Sequence, residues 1–449
     1  MNLLDKIKNA GIVGCGGAGF PTHVKLNCSV EYLIVNAAEC EPLLRTDRFL
    51  MLKKASEIIS GLEIIAKQVQ AKHVYIALKE TYAEEIASLQ DAINKANSKV
   101  KLFMLKNFYP AGDEQIMVLE VTGRTVPPTG IPLDVGCVVS NVATVYGIYE
   151  ASKDIPFTQK YLTVTGAVNN PTIVKAPLGT SFKDCISAAK GTTIDDYYVL
   201  VGGPMMGKLF SKDCLDTQTV TKTTSGIVIV PSDTKLVEMR ETPLKNIMKQ
   251  ARISCIQCQT CTQMCPRYLS GHPLSPHKIM RKMAYAQSVE DVLDDPAIKE
   301  AITCSECGVC EVYACPMFLM PRQVNVLLKD KLREAGFRYQ KDTEHTFKYR
   351  EDREYRRIPS HRLASRLGVE QYYDYTIHDL YEMKPKKIAV SLQQHIGAPA
   401  EPVVKVGDSV KVGTLIGRIP DKALGANIHA GINGVVVNIN NGIIEIEQK

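Results

Sequence analysis

The most constraining feature of this chain is a pair of cysteine runs between residues 255 and 316, which hold eight of its fourteen cysteines. The first run has the spacing C-x2-C-x2-C-x3-C-P and comprises Cys255, Cys258, Cys261 and Cys265. The second has the spacing C-x2-C-x2-C-x4-C-P and comprises Cys304, Cys307, Cys310 and Cys315. Disulfides are not expected here, because the long chain carries no export signal. The runs therefore predict metal chemistry.

The spacing favours two cubane iron–sulfur clusters, because the first run matches the bacterial ferredoxin pattern, whose fourth cysteine ligates the other cluster. We predict one 4Fe–4S cluster on Cys255, Cys258, Cys261 and Cys315, and a second on Cys304, Cys307, Cys310 and Cys265. The extra residue before Cys315 requires a local bulge. Tetrahedral zinc and structural cysteines are the alternatives, although zinc sites usually show two C-x2-C pairs across a longer loop. Such clusters carry single electrons, so other parts of the chain must take electrons in and pass them on.

Length and composition limit the remaining possibilities. A chain of 449 residues is too long for one core, and about three domains are expected. The net charge of +6 is small for this length and does not suggest nucleic-acid binding. No apolar run is long enough for a membrane helix, and residues 1–8 lack the core of a signal peptide. We therefore expect a cytoplasmic protein that does not insert into a membrane.

A glycine-rich loop lies near the start of the chain, with five glycines between residues 11 and 19. Backbone N–H groups of such a loop can cradle a phosphate, and Lys25 can add a point charge. A tight structural turn is the alternative. The apolar strand 32–35 follows and runs into Asn36, Glu39 and Glu41. In α/β domains ligands bind at the carboxyl ends of strands; a solvated turn ended by proline is the alternative for these three residues.

The next segments alternate between helix and strand. Their patterns predict helices over 47–70 and 82–97, and strands over 74–78 and 100–105. This alternation predicts a layered α/β domain.

Four motifs in this region together resemble one family. Residues 14–22 with Lys25, then 36–42, 109–114 and 140–144, are similar in order and composition to the FMN- and NADH-binding domain of the respiratory complex I flavoprotein subunit. The form of the 36–42 motif resembles the RnfC branch of that superfamily. The resemblance implies an FMN domain over residues 1–155, with NADH as electron donor.

Carried over by position, the resemblance implies a cofactor site but names no catalytic residue. Its members would be the phosphate and ribityl contacts Gly14, Gly16, Gly17, Lys25, Asn141 and Thr144, the flavin-ring neighbours Asn36, Glu39 and Glu114, and the nicotinamide-nucleotide contacts Phe20 and Glu41. Three positions depart from the family: Cys15 replaces an arginine, Ala38 an aspartate and Leu43 a glycine that makes room for nucleotide. Flavin binding is therefore a firmer expectation than tight NADH binding.

Three further units complete the expected multidomain α/β and α+β fold. Residues 156–235 resemble the β-grasp SLBB module, with either a ligand-binding or a spacer role. The two-cluster ferredoxin-like domain spans 245–335. A charged segment, 336–384, is interpreted as a solvated linker, with docking of an acidic partner as the alternative. Residues 385–449 resemble the barrel-sandwich hybrid of RnfC, in which His395 and His429 are either hydrogen-bonded structural residues or ligands of a metal or corrin cobalt.

The order of these units, with the barrel last, is similar to that of the cobalamin reductase family of the propanediol-utilisation bacterial microcompartment. The resemblance implies an NADH-dependent enzyme with FMN and two 4Fe–4S clusters that reduces cobalamin from Co(III) through Co(II) to Co(I) for B12 recycling. Cobalamin as acceptor, a cobalamin adenosyltransferase, shell proteins and a location inside the microcompartment follow from the same resemblance. The alternatives are an Rnf-type subunit passing electrons between NADH and ferredoxin or another microcompartment enzyme, and a cluster-bearing scaffold.

Overall fold

The first domain is a parallel α/β layer. The computed structural model describes residues 1–341, 347–377 and 379–448. Four parallel strands lie in the order Lys101–Leu105, His73–Lys79, Tyr32–Asn36, Cys137–Asn141. The helices of this domain are Leu3–Ala10, Thr22–Lys25, Thr46–Lys53, Ala55–Gln68, Ala83–Ala96, Glu114–Thr122 and Val142–Ser152. Leu33, Ile34 and Val35 are fully buried, as expected for a central strand covered on both faces.

The strand order places a crevice at one edge of this sheet. From the strand Tyr32–Asn36 the chain crosses to one side for the next two strands and to the other side for Cys137–Asn141. Such a reversal opens a ligand crevice at the carboxyl ends of the two strands that flank it. Those ends are Asn36 and Asn141, which lie opposite each other in the register.

The predicted helix 47–70 is two helices. The chain leaves helical geometry at Lys54, with φ −132° and ψ 24°. The first helix, Thr46–Lys53, also contacts the strand Gln159–Gly166 of the next domain, whereas Ala55–Gln68 packs on helices of its own domain. The break gives each helix its own direction.

The second domain is a six-stranded mixed sheet. Its strands lie in the order Leu380–Glu382, Thr172–Pro177, Gln159–Gly166, Gly226–Pro231, Tyr197–Val201, Lys208–Ser211. The helix Phe182–Ala188 packs on it and is capped by Ser181, whose side chain accepts a hydrogen bond from the Asp184 N–H at 3.1 Å.

The cysteine-rich domain is helical. Its helices are Lys235–Glu241, Leu244–Ser254, Thr260–Gln263, Pro266–Leu269, Pro276–Tyr285, Pro296–Lys299 and Pro321–Glu334. The extra residue of the second cysteine run is accommodated in a π-helical turn, Cys310–Ala314, which supplies the bulge that the spacing requires.

The segment interpreted as a solvated linker is largely packed. The helix Ser360–Leu367 buries Leu363, Ala364 and Leu367 in the core of the cysteine-rich domain, and the strand Leu380–Glu382 extends the sheet of the second domain. The solvated-linker interpretation is therefore wrong for these residues, because the dense charge hides a narrow apolar helix face. Residues 342–346 and 378, within the same predicted linker, lie outside the described residues, as does residue 449 of the predicted barrel.

The C-terminal unit consists of two small sheets around an apolar core. One sheet has the strand order Lys387–Ser391, Ile443–Glu447, Gly434–Asn440, Ser409–Val410, and the other Glu401–Pro402, Leu415–Arg418, Ile428–His429. His395 and His429 are buried, and His395 Nε2 accepts a hydrogen bond from the Ala426 N–H at 3.0 Å. This bond agrees with the structural interpretation of His395.

One lysine joins three of these units. Lys222, in the second domain, is fully buried, and its Nζ donates to the carbonyls of Gly11 at 2.7 Å and Asn427 at 2.6 Å. Burial lowers the pKa of Lys222 to about 7. Among the described residues, no helix combines the length and apolar character needed to cross a membrane.

Candidate flavin and iron–sulfur sites

The glycine loop is closed at its base and open at its tip. The Gly14 N–H donates to the Phe20 carbonyl at 3.0 Å, and the Thr22 N–H to that of Ile12 at 3.1 Å. Gly16 and Gly17 are exposed at the tip, and a Cβ on Gly17 would meet nothing within 4 Å. The loop therefore offers unhindered backbone to a ligand in the crevice.

Asn141 and Thr144 lie directly against this loop. A Cβ on Gly16 would stand 3.0 Å from the Asn141 side chain, so only glycine lets the two approach comfortably. The Thr144 hydroxyl accepts a hydrogen bond from the Cys15 N–H at 2.9 Å. The structure thus brings together Gly14, Gly16, Asn141 and Thr144, and this cradle of backbone and short polar groups fits a phosphate-bearing cofactor such as FMN.

Two carboxyl groups flank the crevice beside Asn141. Asn141 Nδ2 donates to Asp47 at 2.7 Å, and the Glu39 carboxylate accepts the N–H groups of Asp47 at 3.1 Å and Arg48 at 3.2 Å. Burial, followed by repulsion from Glu39, raises the pKa of Asp47 to about 8, and burial also raises the pKa of Glu39. One of these groups can therefore hold a proton at neutral pH. Sequence reasoning missed Asp47 as a site residue, because an acidic residue at the start of a helix is an ordinary cap.

The loop 109–114 covers the other side of the crevice. Asn36 Nδ2 donates to the Gly112 carbonyl at 2.7 Å. Glu114 pairs with Lys25, the Oε1 and Nζ atoms lying 2.6 Å apart, in a partly exposed position. A bound anion that attracts Lys25 would compete with this pair, so the two side chains can respond to ligand binding.

The two residues expected to contact the nicotinamide nucleotide differ in placement. Phe20 lies at the end of the glycine loop and is 37% exposed. The Glu41 carboxylate instead accepts the N–H groups of Met205 and Met206, both at 2.9 Å, from a loop of the second domain. Burial raises the pKa of Glu41 to about 7. Contact between Glu41 and the nucleotide stays a prediction.

The family departures are buried rather than lining open space. Cys15 is 4% exposed, Ala38 and Leu43 are fully buried, and Leu43 keeps a positive φ of 72° where the family has glycine. The Leu43 side chain belongs to the core that includes Cys265 and Cys307. It therefore packs toward the cysteine-rich domain.

The first cysteine run forms an exposed loop. Cys255, Cys258, Cys261 and Cys315 line one pocket, and Cys258 is exposed. Burial, followed by the charge of the neighbouring Cys315 thiolate, raises the pKa of Cys261 to about 12. The fourth cysteine of the second run therefore lies beside the first run.

The second cysteine run is buried. Cys307 and Cys310 are each 8% exposed. Burial raises the pKa of Cys307 to about 12, and the neighbouring Cys265 adds to the shift. The two predicted ligand sets are thus each brought together, although the assignment of iron to them stays a prediction. In the described part of the chain no three His, Cys, Asp or Glu side chains close around a single ion position; in a cubane each thiolate binds a different iron.

The buried run lies next to the flavin-domain loop. The Tyr109 hydroxyl donates to the Cys307 carbonyl at 2.8 Å. Arg267, two residues after Cys265, makes a two-pronged ion pair with Asp113, with both N–O distances 2.8 Å. Burial would raise the pKa of Asp113, but the Arg267 charge and the N-terminal N–H groups of the helix Glu114–Thr122 together lower it. Sequence reasoning missed this pair, although a basic residue directly after the C-P step was a visible signal.

Matches to known families cover these regions in turn. The Nuo51 FMN-binding domain matches residues 7–150, the SLBB domain 161–209, the 4Fe-4S dicluster domain 254–320 and the RnfC barrel sandwich hybrid domain 375–449. Together with the sites above, they define a flavin- and iron–sulfur-dependent oxidoreductase with the predicted fold class and cofactors.

Matches to curated proteins narrow this class. The chain is 40% identical over 99% of its length to 96% of the cobalamin reductase PduS of Salmonella typhimurium, and 40% identical over 97% of its length to 94% of that of Citrobacter freundii. It is 34% identical over 61% of its length to 57% of one component of the proton-translocating ferredoxin:NAD(+) oxidoreductase complex of Clostridium ljungdahlii. The chain belongs to the PduS cobalamin reductase family, as its domain order predicted.

Proposed function

We propose that this chain is an NADH-dependent flavin and iron–sulfur reductase that reduces cobalamin from Co(III) to Co(II) and on to Co(I). The observation that carries the proposal is the 40% identity to two curated cobalamin reductases along nearly the whole chain, with all four domain types present. FMN, when bound, accepts a hydride and releases single electrons, which the clusters transfer one at a time.

The glycine loop would hold the phosphate and ribityl end of FMN. Gly16 and Gly17 offer backbone N–H groups at an open tip, and Asn141 and Thr144 support that loop from below. Lys25 would leave Glu114 and turn to the phosphate. Asn36 and Glu39, at the carboxyl end of the central strand, would orient the flavin ring.

The two cysteine sets would have different positions in the electron path. The set of Cys265, Cys304, Cys307 and Cys310 would lie on the flavin side, which is supported by the contact of Tyr109 with Cys307 and of Asp113 with Arg267. The set of Cys255, Cys258, Cys261 and Cys315 would lie on the acceptor side, which is supported by its exposed loop.

The finer assignments extend this function into a pathway. Co(I) is the nucleophile that an adenosyltransferase requires, so we propose such an enzyme as a partner. We also propose that the protein serves 1,2-propanediol utilisation inside a bacterial microcompartment, in contact with its shell proteins. The resemblance to the PduS family supports both statements.

The Rnf-type alternative has narrower support. The likeness to the Clostridium ljungdahlii protein spans 61% of this chain, compared with 99% for the Salmonella cobalamin reductase. The units shared with Rnf proteins explain this partial likeness.

An anaerobic reduction assay tests the proposal. The protein is reconstituted with FMN, iron and sulfide, mixed with NADH and cob(II)alamin, and followed by corrin absorbance with an alkylating trap for Co(I). We expect trapped Co(I) to depend on protein, FMN and NADH together. Bleaching of flavin and clusters by NADH without any reduction of cobalt would contradict the proposal and favour the Rnf-type function.

A further inference from the structure

An uncharged, partly apolar surface surrounds the exposed cysteine loop. We call it the acceptor face and define it by Ile256, Gln257, Gln259, Met317 and Phe318. Ile256 is 60%, Met317 41% and Phe318 49% exposed. Residues 253–266 and 312–321 contain no charged side chain. In a chain with 23% charged residues, two adjoining segments without charge at one exposed site are unusual.

The acceptor face adjoins ligand thiols rather than a remote part of the surface. Ile256, Gln257, Gln259 and Met317 line the same pocket as the exposed Cys258 and its three partner cysteines. Electron transfer weakens steeply with distance, so an acceptor gains most by contacting the loop that covers the outer cluster. The second run offers no such access, because Cys307, Gly308, Val309 and Cys310 are all buried.

Positive charge borders one edge of the acceptor face. Lys235 Nζ lies 5.4 Å from the centre of the Phe318 ring, and the Arg366 guanidinium lies 5.7 Å from it. The remaining exposed polar groups of the face are the carboxamides of Gln257 and Gln259. The face thus combines apolar contact area, two amide groups and a cationic edge.

This combination fits one chemical class of acceptor. A corrinoid presents an apolar macrocycle, a rim of neutral carboxamides and, on its nucleotide loop, a single phosphodiester. Apolar side chains can cover the ring, glutamine amides can pair with the rim amides, and Lys235 and Arg366 can approach the phosphodiester. An acidic electron-carrier protein would instead be expected to need positive charge spread over the face.

We propose that the acceptor face is the docking site for free cobalamin, which receives its electron there from the outer cluster. This inference rests on the proposed function and adds the site of the acceptor. The balance is NADH + 2 Co(II) → NAD⁺ + H⁺ + 2 Co(I): each cobalt gains one electron, and the hydride of NADH supplies both electrons and leaves one proton. Docking at this face explains why one cysteine loop is exposed and the other is not.

Charge placed on the acceptor face tests the proposal. Ile256→Asp and Phe318→Asp, in the reconstituted protein, should weaken cobalamin binding in anaerobic equilibrium dialysis by about 10-fold or more, because each removes a buried apolar contact. Val412→Asp is the matched control, since Val412 is 50% exposed in the distant barrel unit. Electron paramagnetic resonance after NADH addition should show both clusters reduced in all three variants, which confirms that they are folded and loaded.

The cationic edge provides a second test that distinguishes parts of the ligand. Lys235→Gln and Arg366→Gln should weaken binding of cobalamin but leave binding of cobinamide, which lacks the phosphodiester, within about 2-fold. If wild-type protein reduces cobalamin and all face variants bind and reduce it equally well, the docking site is wrong but the function stands. If the aspartate variants lose only reduction of a ferredoxin, the face belongs to a protein acceptor. If wild-type protein neither binds nor reduces cobalamin, function and docking site both fail.

Discussion

The two cysteine runs share one backbone design but differ in their surroundings. Gln257 and Gln259 in the first run and Glu306 and Gly308 in the second occupy equivalent positions, and all four have a positive φ between 57° and 80°. Yet the loop of the first run is exposed, whereas Cys307, Gly308 and Cys310 are buried against the flavin and SLBB domains. The same spacing thus serves two positions in one path, and the neighbours decide which.

The largest expected difference between the two sides comes from ion pairs. Arg267→Leu removes the partner of buried Asp113 beside the second run and should lower the free energy of unfolding by about 3–5 kcal/mol. Lys282→Ala breaks a partly exposed pair with Asp295, on the helix Pro276–Tyr285 near the first run, and should cost about 0–1 kcal/mol. Anaerobic urea unfolding of both variants measures this. Equal losses would contradict the contrast between a buried and an exposed side.

Two histidines after the first run should respond differently to acid. Burial lowers the pKa of His272 to about 4, and its Nε2–H donates to the Val126 carbonyl at 2.8 Å. The fold therefore favours neutral His272, and this contribution to stability is complete above pH 6.5 and is lost as the pH falls toward 4. The loss should approach roughly 3 kcal/mol.

Melting temperatures between about pH 7.5 and 5 test this difference. His272→Gln should flatten the acid-side fall in melting temperature. His277→Gln is the control, because His277 is half-buried, so removing it should change the slope less. A slope unchanged in His272→Gln would mean that another group controls the acid response.

A smaller effect is expected at the contact between the flavin loop and the buried run. Tyr109→Phe removes the hydroxyl that bonds the Cys307 carbonyl and should cost about 1 kcal/mol. It should also shift the reduction potential of the cluster on the flavin side, since it alters hydrogen bonding next to a ligand. Tyr285→Phe, at an 81% exposed position, is the control. Redox titration followed by electron paramagnetic resonance should show no change in that control.

Local patterns predicted much of the architecture. Strand 32–35, the helix over 82–97 and the cap at Ser181 follow from hydrophobic period and capping chemistry, which act over a few residues. The bulge in the second run also followed from spacing alone. The strand order supports the predicted position of the site, since Asn36 and Asn141 meet at the reversal of the sheet.

Contacts between distant segments were not predictable in this way. The pair of Asp113 with Arg267 joins residues 154 positions apart, and the hold of Met205 and Met206 on Glu41 joins different domains. Neither leaves a periodic signal. The linker region was misread because charged side chains on one face of the helix Ser360–Leu367 hide the three apolar ones that decide its packing.

The central claim is that both clusters lie between NADH and cobalamin, with the buried set nearer the flavin. The most direct measurement compares Cys258→Ser with Cys307→Ser in the anaerobic NADH and cob(II)alamin assay, with cluster spectra recorded in parallel. The account predicts that Cys258→Ser keeps an NADH-reducible cluster on the buried set but traps little Co(I). It predicts that Cys307→Ser loses rapid NADH reduction of the outer cluster as well. Trapping of Co(I) at the wild-type rate in both variants would show that the flavin alone reduces cobalamin and would contradict the account.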